Sequence, residues 1–250
     1  MHKSDITFGN GQYTLKDVAY GSQEDSPKFA GSFGMGVPGQ GFLGKDAPTG
    51  LSEAMSAQLN LTSFSVAILD DWTLLLGKDP FVDVDEKALL GSVKPELGGN
   101  WNIKGTFNGT EIVADLSPQN TKIFGDAKMI QALFGDQQPT RRGKDPVSNY
   151  YDVPCTGGPP FDFAFGDTTS DKGTGFSISL SKEATLYTDK DSSTGCTSVL
   201  VGQEPDPERF ETTWSLGNAF QYHLTPSYHW DDLQNPIIHF FNRPDSLDQA

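Results

Sequence analysis

The chain has 250 residues, of which 33 are acidic and 18 basic, so its formal net charge is −15. This charge argues against nucleic acid and anionic membrane surfaces as partners. The 27 glycines and 16 prolines, with short apolar runs between turn residues, favour β structure over long helices. The composition therefore predicts a mainly β protein with few short helices.

The predicted elements follow one another as short strands and turns. Residues 6–8 and 13–20, on either side of Asn10-Gly11, predict a β-hairpin. Apolar spacing predicts short helices at 51–59 and 126–134. The other predicted strands cover residues 63–69, 72–76, 89–93, 101–107, 161–165, 175–180, 196–202, 214–216, 223–228 and 237–241.

The cysteines and histidines limit which disulfides and metal sites the chain can form. Cys155 and Cys196 are too few for a disulfide scaffold and too far apart for a Cys-x-x-Cys site, which leaves one structural disulfide or two free thiols. His223, His229 and His239, with Asp231 and Asp232 nearby, match no standard spacing of metal ligands. We predict no metal and no cofactor.

The order of several short motifs resembles the pepsin family of aspartic proteases. No single motif is decisive, but together they follow the family's order over most of the chain. They are FAGSFGMG at 29–36, LLLGKD at 74–79, WNI at 101–103, NG at 108–109, IFG at 123–125, IQALFG at 130–135, VPC at 153–155 and WSLGNAF at 214–220.

This resemblance implies a pepsin-like acid-protease fold with an incomplete N-terminal lobe. Residues 1–80 would be the remnant of that lobe and residues 81–250 a near-complete C-terminal lobe. It also implies that Cys155 pairs with Cys196 in the disulfide of the C-terminal lobe. An incomplete lobe leaves strand edges to be covered, by rearranged strands, by a homodimer or by a second polypeptide.

The catalytic signature of the family is missing. Its members use two aspartates that share one proton, each from an Asp-Thr-Gly motif, and no such motif occurs in the sequence. The second motif should lie between Ile112 and Ile123, where one alignment puts Asp115 and another puts Ser117 at the aspartate position. In both alignments the glycine is lost and Pro118 enters the turn. We therefore predict no aspartic protease activity.

The same resemblance indicates where a cleft would lie. Its walls would be the loop around Asp115 and the turn around Trp214 and Asn218, together with Asn100. If the cleft now serves another reaction, a few polar groups and its shape would suffice. The cleft candidates are Asn100, Trp101, Ser117, Trp214 and Asn218, and the catalytic candidates are Asp115, Tyr222 and His223.

Three functions are compatible with the sequence. The chain could bind a ligand or protein partner, as do plant relatives of the family that inhibit xylanases and glucanases. It could instead catalyse a cyclisation or isomerisation of a small molecule, or supply one half of a split protease. No apolar signal segment or membrane span is evident. We expect a cytoplasmic protein if the chain is complete, and a secreted one if a leader and half-lobe were removed.

Overall fold

The structure is a computed structural model. It describes residues 2–8, 11, 13–20, 51–68, 72–80, 88–96, 101–118, 120–141, 147–166, 175–181, 183–204, 214–232 and 235–242. Strands dominate these residues and the α-helices are short, so the prediction of a mainly β protein is confirmed. The motif predicted at 29–36 and the cleft candidate Asn100 lie outside the described residues.

Short strands make up most of the regular structure, and the α-helices lie between them along the chain. The strands are β1 (His2–Phe8), β2 (Tyr13–Tyr20), β3 (Ser63–Ile68), β4 (Trp72–Leu76), β5 (Leu89–Val93), β6 (Ile103–Phe107), β7 (Thr110–Leu116), β8 (Ile123–Asp126), β9 (Ser148–Asn149), β10 (Phe161–Gly166), β11 (Gly175–Leu180), β12 (Leu186–Thr188), β13 (Cys196–Ser198), β14 (Leu200–Gln203), β15 (Trp214–Leu216), β16 (Leu224–His229) and β17 (Ile237–Asn242). The α-helices are α1 (Leu51–Leu59), α2 (Ala127–Phe134) and α3 (Asn218–Gln221).

Both predicted helices form close to the predicted residues. Helix α2 begins after Asp126, whose carboxylate accepts hydrogen bonds from the backbone N–H groups of Lys128 and Met129, each at 2.9 Å. The predicted N-terminal hairpin forms as β1 and β2. Sequence patterns missed β7, β8, β9, β12 and α3. The strand predicted at 196–202 is divided at Val199, because β13 pairs with β12 whereas β14 pairs with β8.

The larger sheet has eight strands in the order β11-β10-β6-β7-β15-β8-β14-β9. Its β15 pairs in parallel with β7 and antiparallel with β8, so it lies between two segments about 100 residues earlier in the chain. The rings of Phe107 and Phe163 pack against Trp214, with centroids 4.6 and 5.9 Å away. This aromatic core fixes the strands that carry the candidate site.

The second sheet has five strands in the order β4-β3-β16-β17-β5. It joins β3 and β4, from before residue 80, to β16 and β17, which are close to the C-terminal end of the chain. The predicted division at 80/81 separates strands that share this sheet, and it stays a prediction. Rings of Phe176 and Phe240, 4.6 Å apart, connect the apolar cores of the two sheets.

A disulfide joins Cys155 to Cys196. It connects the loop after β9 to the start of β13. In the described part of the chain, none of the helices has the length and apolar character needed to cross a bilayer.

Candidate functional site around Asp115

The pairing of β7 with β15 creates the site. Buried Ile112 and Ala114 alternate along β7 with Val113 and Asp115, which are less buried. In the parallel register Asp115 lies opposite Ser215 and Trp214 lies opposite Ala114. Because side chains alternate between the two faces of a strand, Asp115 and Ser215 share one face while Trp214 points to the other.

Serine hydroxyls surround the Asp115 carboxyl. Ser117 Oγ donates a hydrogen bond to Asp115 Oδ2, and Ser215 provides a second hydrogen bond to the same carboxyl. Asn120 Nδ2 in turn donates to Ser215 Oγ at 2.6 Å. Burial raises the pKa of the Asp115 carboxyl, and the two hydroxyls offset only part of that rise.

Backbone contacts hold the turn after β7 against the end of β15. Ser117 N donates to Leu216 O at 3.1 Å, and Asn218 N donates to Asn120 O at 2.7 Å. Gly217 lies so close to this turn that an added Cβ would be 2.3 Å from the carbonyl oxygens of Asn120 and Lys122. A glycine is therefore required at position 217.

A buried tyrosine is close enough to the carboxyl to be affected by its charge. The Tyr228 side chain is buried, and its pKa is raised by that burial and by the charge of Asp115. The Tyr228 ring stacks on Phe64 with centroids 4.5 Å apart and packs against Trp101 at 4.9 Å. The carboxyl is therefore hydrogen-bonded by hydroxyl groups and acts electrostatically on a buried aromatic cluster.

Asn102 adds a buried acceptor next to β7. Ile103 pairs with Ala114, so continuing this antiparallel register by one residue places Asn102 opposite Asp115. Asn102 Oδ1 is buried and has no hydrogen-bond partner among the described residues. Buried polar atoms normally have a hydrogen-bond partner, and Asn149, Asn218 and Gln221 carry buried oxygens of the same kind.

The structure brings some of the predicted site residues together and leaves others apart. Asp115 and Ser117 are hydrogen-bonded, and Trp101 lies in the same neighbourhood through Tyr228. Trp214 is instead 1% exposed in the aromatic core on the opposite face of β15. Asn218 contacts the Asn120 turn through its backbone, and its Oδ1 is buried without a partner among the described residues.

The catalytic candidates Tyr222 and His223 follow α3 in a turn. The Tyr222 side chain is exposed, and its ring contacts the His223 ring edge to face at 5.4 Å. Within the described chain, neither residue is among the groups that shift the pKa of Asp115. Of the three catalytic candidates, Asp115 alone lies in the hydroxyl cluster.

Two further features bear on what the protein could hold. Among the described residues, no group of three His, Cys, Asp or Glu side chains has a geometry suited to a metal ion.

An open groove of about 460 Å³ lies between the β6–β7 turn and α2, at the other end of β7 from Asp115. Its lining is Phe107, Asn108, Thr110, Lys128, Met129, Ala132 and Leu133.

Neither the models of known protein families nor the curated protein sequences gave a match to this chain. The site therefore has to be interpreted from its own geometry. Sequence patterns missed Asn102, Asn120, Ser215 and Tyr228 as site residues. Ser215 carried a usable signal, because it is a polar residue between Trp214 and Leu216 on a strand that is otherwise apolar.

Proposed function

We propose that the chain is a pepsin-like protein without aspartic protease activity that binds a ligand through the region around Asp115. One observation carries this proposal. In the described part of the chain, the side chains that shift the pKa of Asp115 are the hydroxyls of Ser117 and Ser215, with no second carboxyl among them. The order of the short motifs in the sequence supports the pepsin-like fold.

The lone carboxyl argues directly against peptide hydrolysis of the aspartic type. That reaction needs two carboxyls close enough to share one proton, so that one accepts and the other donates during attack by water. Ser117 and Ser215 cannot replace the second carboxyl, because a serine hydroxyl does not ionise near the pH at which a carboxyl does.

The same carboxyl is suited to binding. Its charge is half-buried, and the hydroxyl and backbone hydrogen bonds that it accepts do not cancel the effect of burial, so a ligand that donates hydrogen bonds would stabilise the ionised form. Asn102 Oδ1 is a second acceptor nearby, and a ligand that displaced the side chains covering it would also meet the buried rings of Trp101 and Tyr228. We therefore propose a small ligand that combines an amine or hydroxyl group with an apolar ring or chain.

A second candidate is a cyclisation or isomerisation of a small molecule in the same place. The observation that favours it is the raised pKa of the Asp115 carboxyl, since a carboxylic acid that holds its proton closer to neutral pH can donate it to a reacting group. In this case Asp115 would be the general acid, and turnover would depend on its proton. Simple binding would depend on its charge or hydrogen bonding.

The test uses a library of small amines, alcohols and aromatic fragments, with binding followed by ligand-observed NMR. We expect hits that compete with one another and that weaken at least about tenfold in Asp115→Asn, which corresponds to the loss of one charge-assisted hydrogen bond. The matched control is Asp162→Asn on the exposed face of β10, which should bind like the wild type. Hits that bind equally to all three proteins would contradict a site at Asp115.

The protease prediction is tested separately with a denatured protein substrate at acid pH. We expect no release of peptides. Cleavage that pepstatin inhibits would overturn the proposed function, whatever the fragment screen finds.

The edges of the five-stranded sheet support a homodimer as the partner. Leu74 on edge strand β4 is 41% exposed and Leu89 on edge strand β5 is 48% exposed. Apolar residues on an edge strand favour pairing with another chain. We expect sedimentation velocity to show a dimer that Leu89→Lys or Leu74→Lys dissociates, and a wild-type monomer at all concentrations would contradict this arrangement.

A further inference from the structure

A second polar cluster lies on the five-stranded sheet, on the face opposite the packed rings of Phe64 and Tyr228. Tyr228 points into that core, so its neighbours Ser227 and His229 in β16 lie on the other face. The register places four residues in one row across the sheet: Ser65 of β3, Ser227 of β16, His239 of β17 and Ser92 of β5. His229 is the next residue on this face of β16.

The two histidines in this cluster connect the middle of the sheet to both of its edges. His229 Nε2 lies 2.7 Å from Oδ1 of Asp79, which follows edge strand β4. Ser227 Oγ donates to the same Asp79 oxygen at 2.7 Å. On the other side, His239 Nδ1 lies 2.6 Å from Oγ of Ser92 in edge strand β5.

The two imidazole rings are in direct contact with each other. Their centroids are 4.5 Å apart and their planes meet at 70°. At this separation two imidazolium charges repel each other, so the second proton binds less readily than the first. Burial lowers the pKa of His239, and a charge on His229 lowers it further.

Acidic groups act in the opposite direction on the same pair. Asp79, after β4, and Asp231, after β16, both raise the pKa of His239 without cancelling the fall. Asp231 Oδ2 lies 4.0 Å from His229 Nδ1. Lys94, after β5, is directed to Asn235 Oδ1 at 3.4 Å. In the described strands and their flanking residues, the titratable groups acting on His239 are thus His229, Asp79 and Asp231.

We propose that the pair of His229 and His239 is a pH-sensitive contact that holds the edges of the five-stranded sheet to its middle strands. With His239 neutral, the contacts to Asp79 and Ser92 hold the edge segments to the β16–β17 hairpin. When both rings carry a proton, repulsion between them at a centroid distance of 4.5 Å weakens those contacts. Mild acid therefore loosens the sheet, and return to neutral pH restores it.

The direction with pH follows from linkage. The pKa of His239 in the folded protein lies below its ordinary value of 6.5, so the unfolded chain binds this proton more tightly. The stabilisation is complete above pH 6.5 and is lost as pH falls through the lower pKa of the folded state. Asp79 stays ionised throughout this range, because its pKa is below 3.8.

The experiment measures urea unfolding between about pH 5 and pH 8 for the full chain and three variants. In the wild type we expect the midpoint urea concentration to fall towards pH 5. In His239→Asn, which keeps a polar group near Nδ1 but cannot charge, we expect at least about half of that fall to disappear. His223→Gln removes a histidine outside the pair and should lose less of that fall than His239→Asn.

Histidine titration by NMR tests the same proposal without relying on the stability of a variant. In the wild-type protein His239 should titrate below 6.5. In the third variant, His229→Asn, the pKa of His239 should rise, because residue 229 can no longer carry a charge. A pKa of His239 at or above 6.5, or one that does not change in His229→Asn, would overturn the proposal. A His239→Asn variant whose urea midpoint keeps the full wild-type pH dependence would overturn it as well.

Discussion

Asp115 and Asp79 are two half-buried carboxyls in similar surroundings, and their pKa values move in opposite directions. Each has a nearby serine as hydrogen-bond donor, Ser117 for Asp115 and Ser227 for Asp79. Burial raises the pKa of both. At Asp79 the hydrogen bonds from His229 and Ser227 and the charge of His229 outweigh burial, so the pKa is lowered. At Asp115 burial prevails.

The difference between the two sites is a histidine. His229 Nε2 lies 2.7 Å from Asp79 Oδ1, whereas the side chains around Asp115 are hydroxyls and an amide. Asp79 is therefore already satisfied and has a structural role. Asp115 has acceptor capacity left for a ligand, and this contrast adds support to a binding site there.

The largest expected effect comes from breaking the core behind Asp115. Trp214 is buried against Phe107, Phe163 and Gly125. We expect Trp214→Ala to lower the free energy of unfolding by about 3–5 kcal/mol, because it removes a large buried ring and leaves a cavity. Urea unfolding measures the loss. Tyr222→Ala removes an exposed ring and should cost less than about 1 kcal/mol; equal losses would contradict the assignment of Trp214 to the core.

Breaking the contact between Asp79 and His229 should have an intermediate effect. We expect Asp79→Asn to cost about 1.5 kcal/mol at neutral pH, since hydrogen bonds that involve a charged group contribute roughly that much. Because the pKa of Asp79 is lowered, its contribution is present above pH 3.8 and is lost as pH falls below that value. The difference between variant and wild type in urea unfolding should therefore close in acid. A constant difference at all pH values would argue against a charged pair.

Neutralising Asp115 should have the smallest effect, with the opposite sign. Because its pKa is raised, the ionised form is disfavoured in the folded protein relative to the unfolded chain. We expect Asp115→Asn to be more stable than wild type at pH 7, by less than about 1 kcal/mol, and this advantage should vanish below pH 3.8. Thermal unfolding of both proteins at pH 7 and below pH 3.8 measures the difference in their stability. A variant less stable than wild type at neutral pH would be evidence against the raised pKa.

Much of the secondary structure could be predicted from local patterns. Short apolar runs between turn residues located β3, β4, β5, β10 and β11 almost to the residue, and apolar spacing located α1 and α2. The strands that escaped prediction include β7, most of which lies in the span predicted to hold the catalytic loop, and β8, which begins where that span ends. Because the resemblance predicts a loop there, the alternation of buried Ile112 and Ala114 with less buried residues was not used to predict a strand.

The candidate site was predictable only in part. Asp115 and Ser117 are two residues apart, so a single segment reveals both. Ser215 reaches Asp115 only because β15 pairs in parallel with β7, and Tyr228, which feels the charge of Asp115, belongs to β16 in the other sheet. Pairing between strands about 100 residues apart leaves no periodic signal in one sequence. The contact between His229 and Asp79 was unpredictable for the same reason.

The most direct test of the proposed binding site is a carbon-detected NMR titration of the two carboxyls in the wild-type protein. We predict that Asp115 titrates in a single step above its ordinary value of 3.8 and that Asp79 titrates below 3.8. Two coupled steps at Asp115 would mean that a second carboxyl shares its proton, as in an active aspartic protease. That result would contradict the lone carboxyl and the binding function built on it.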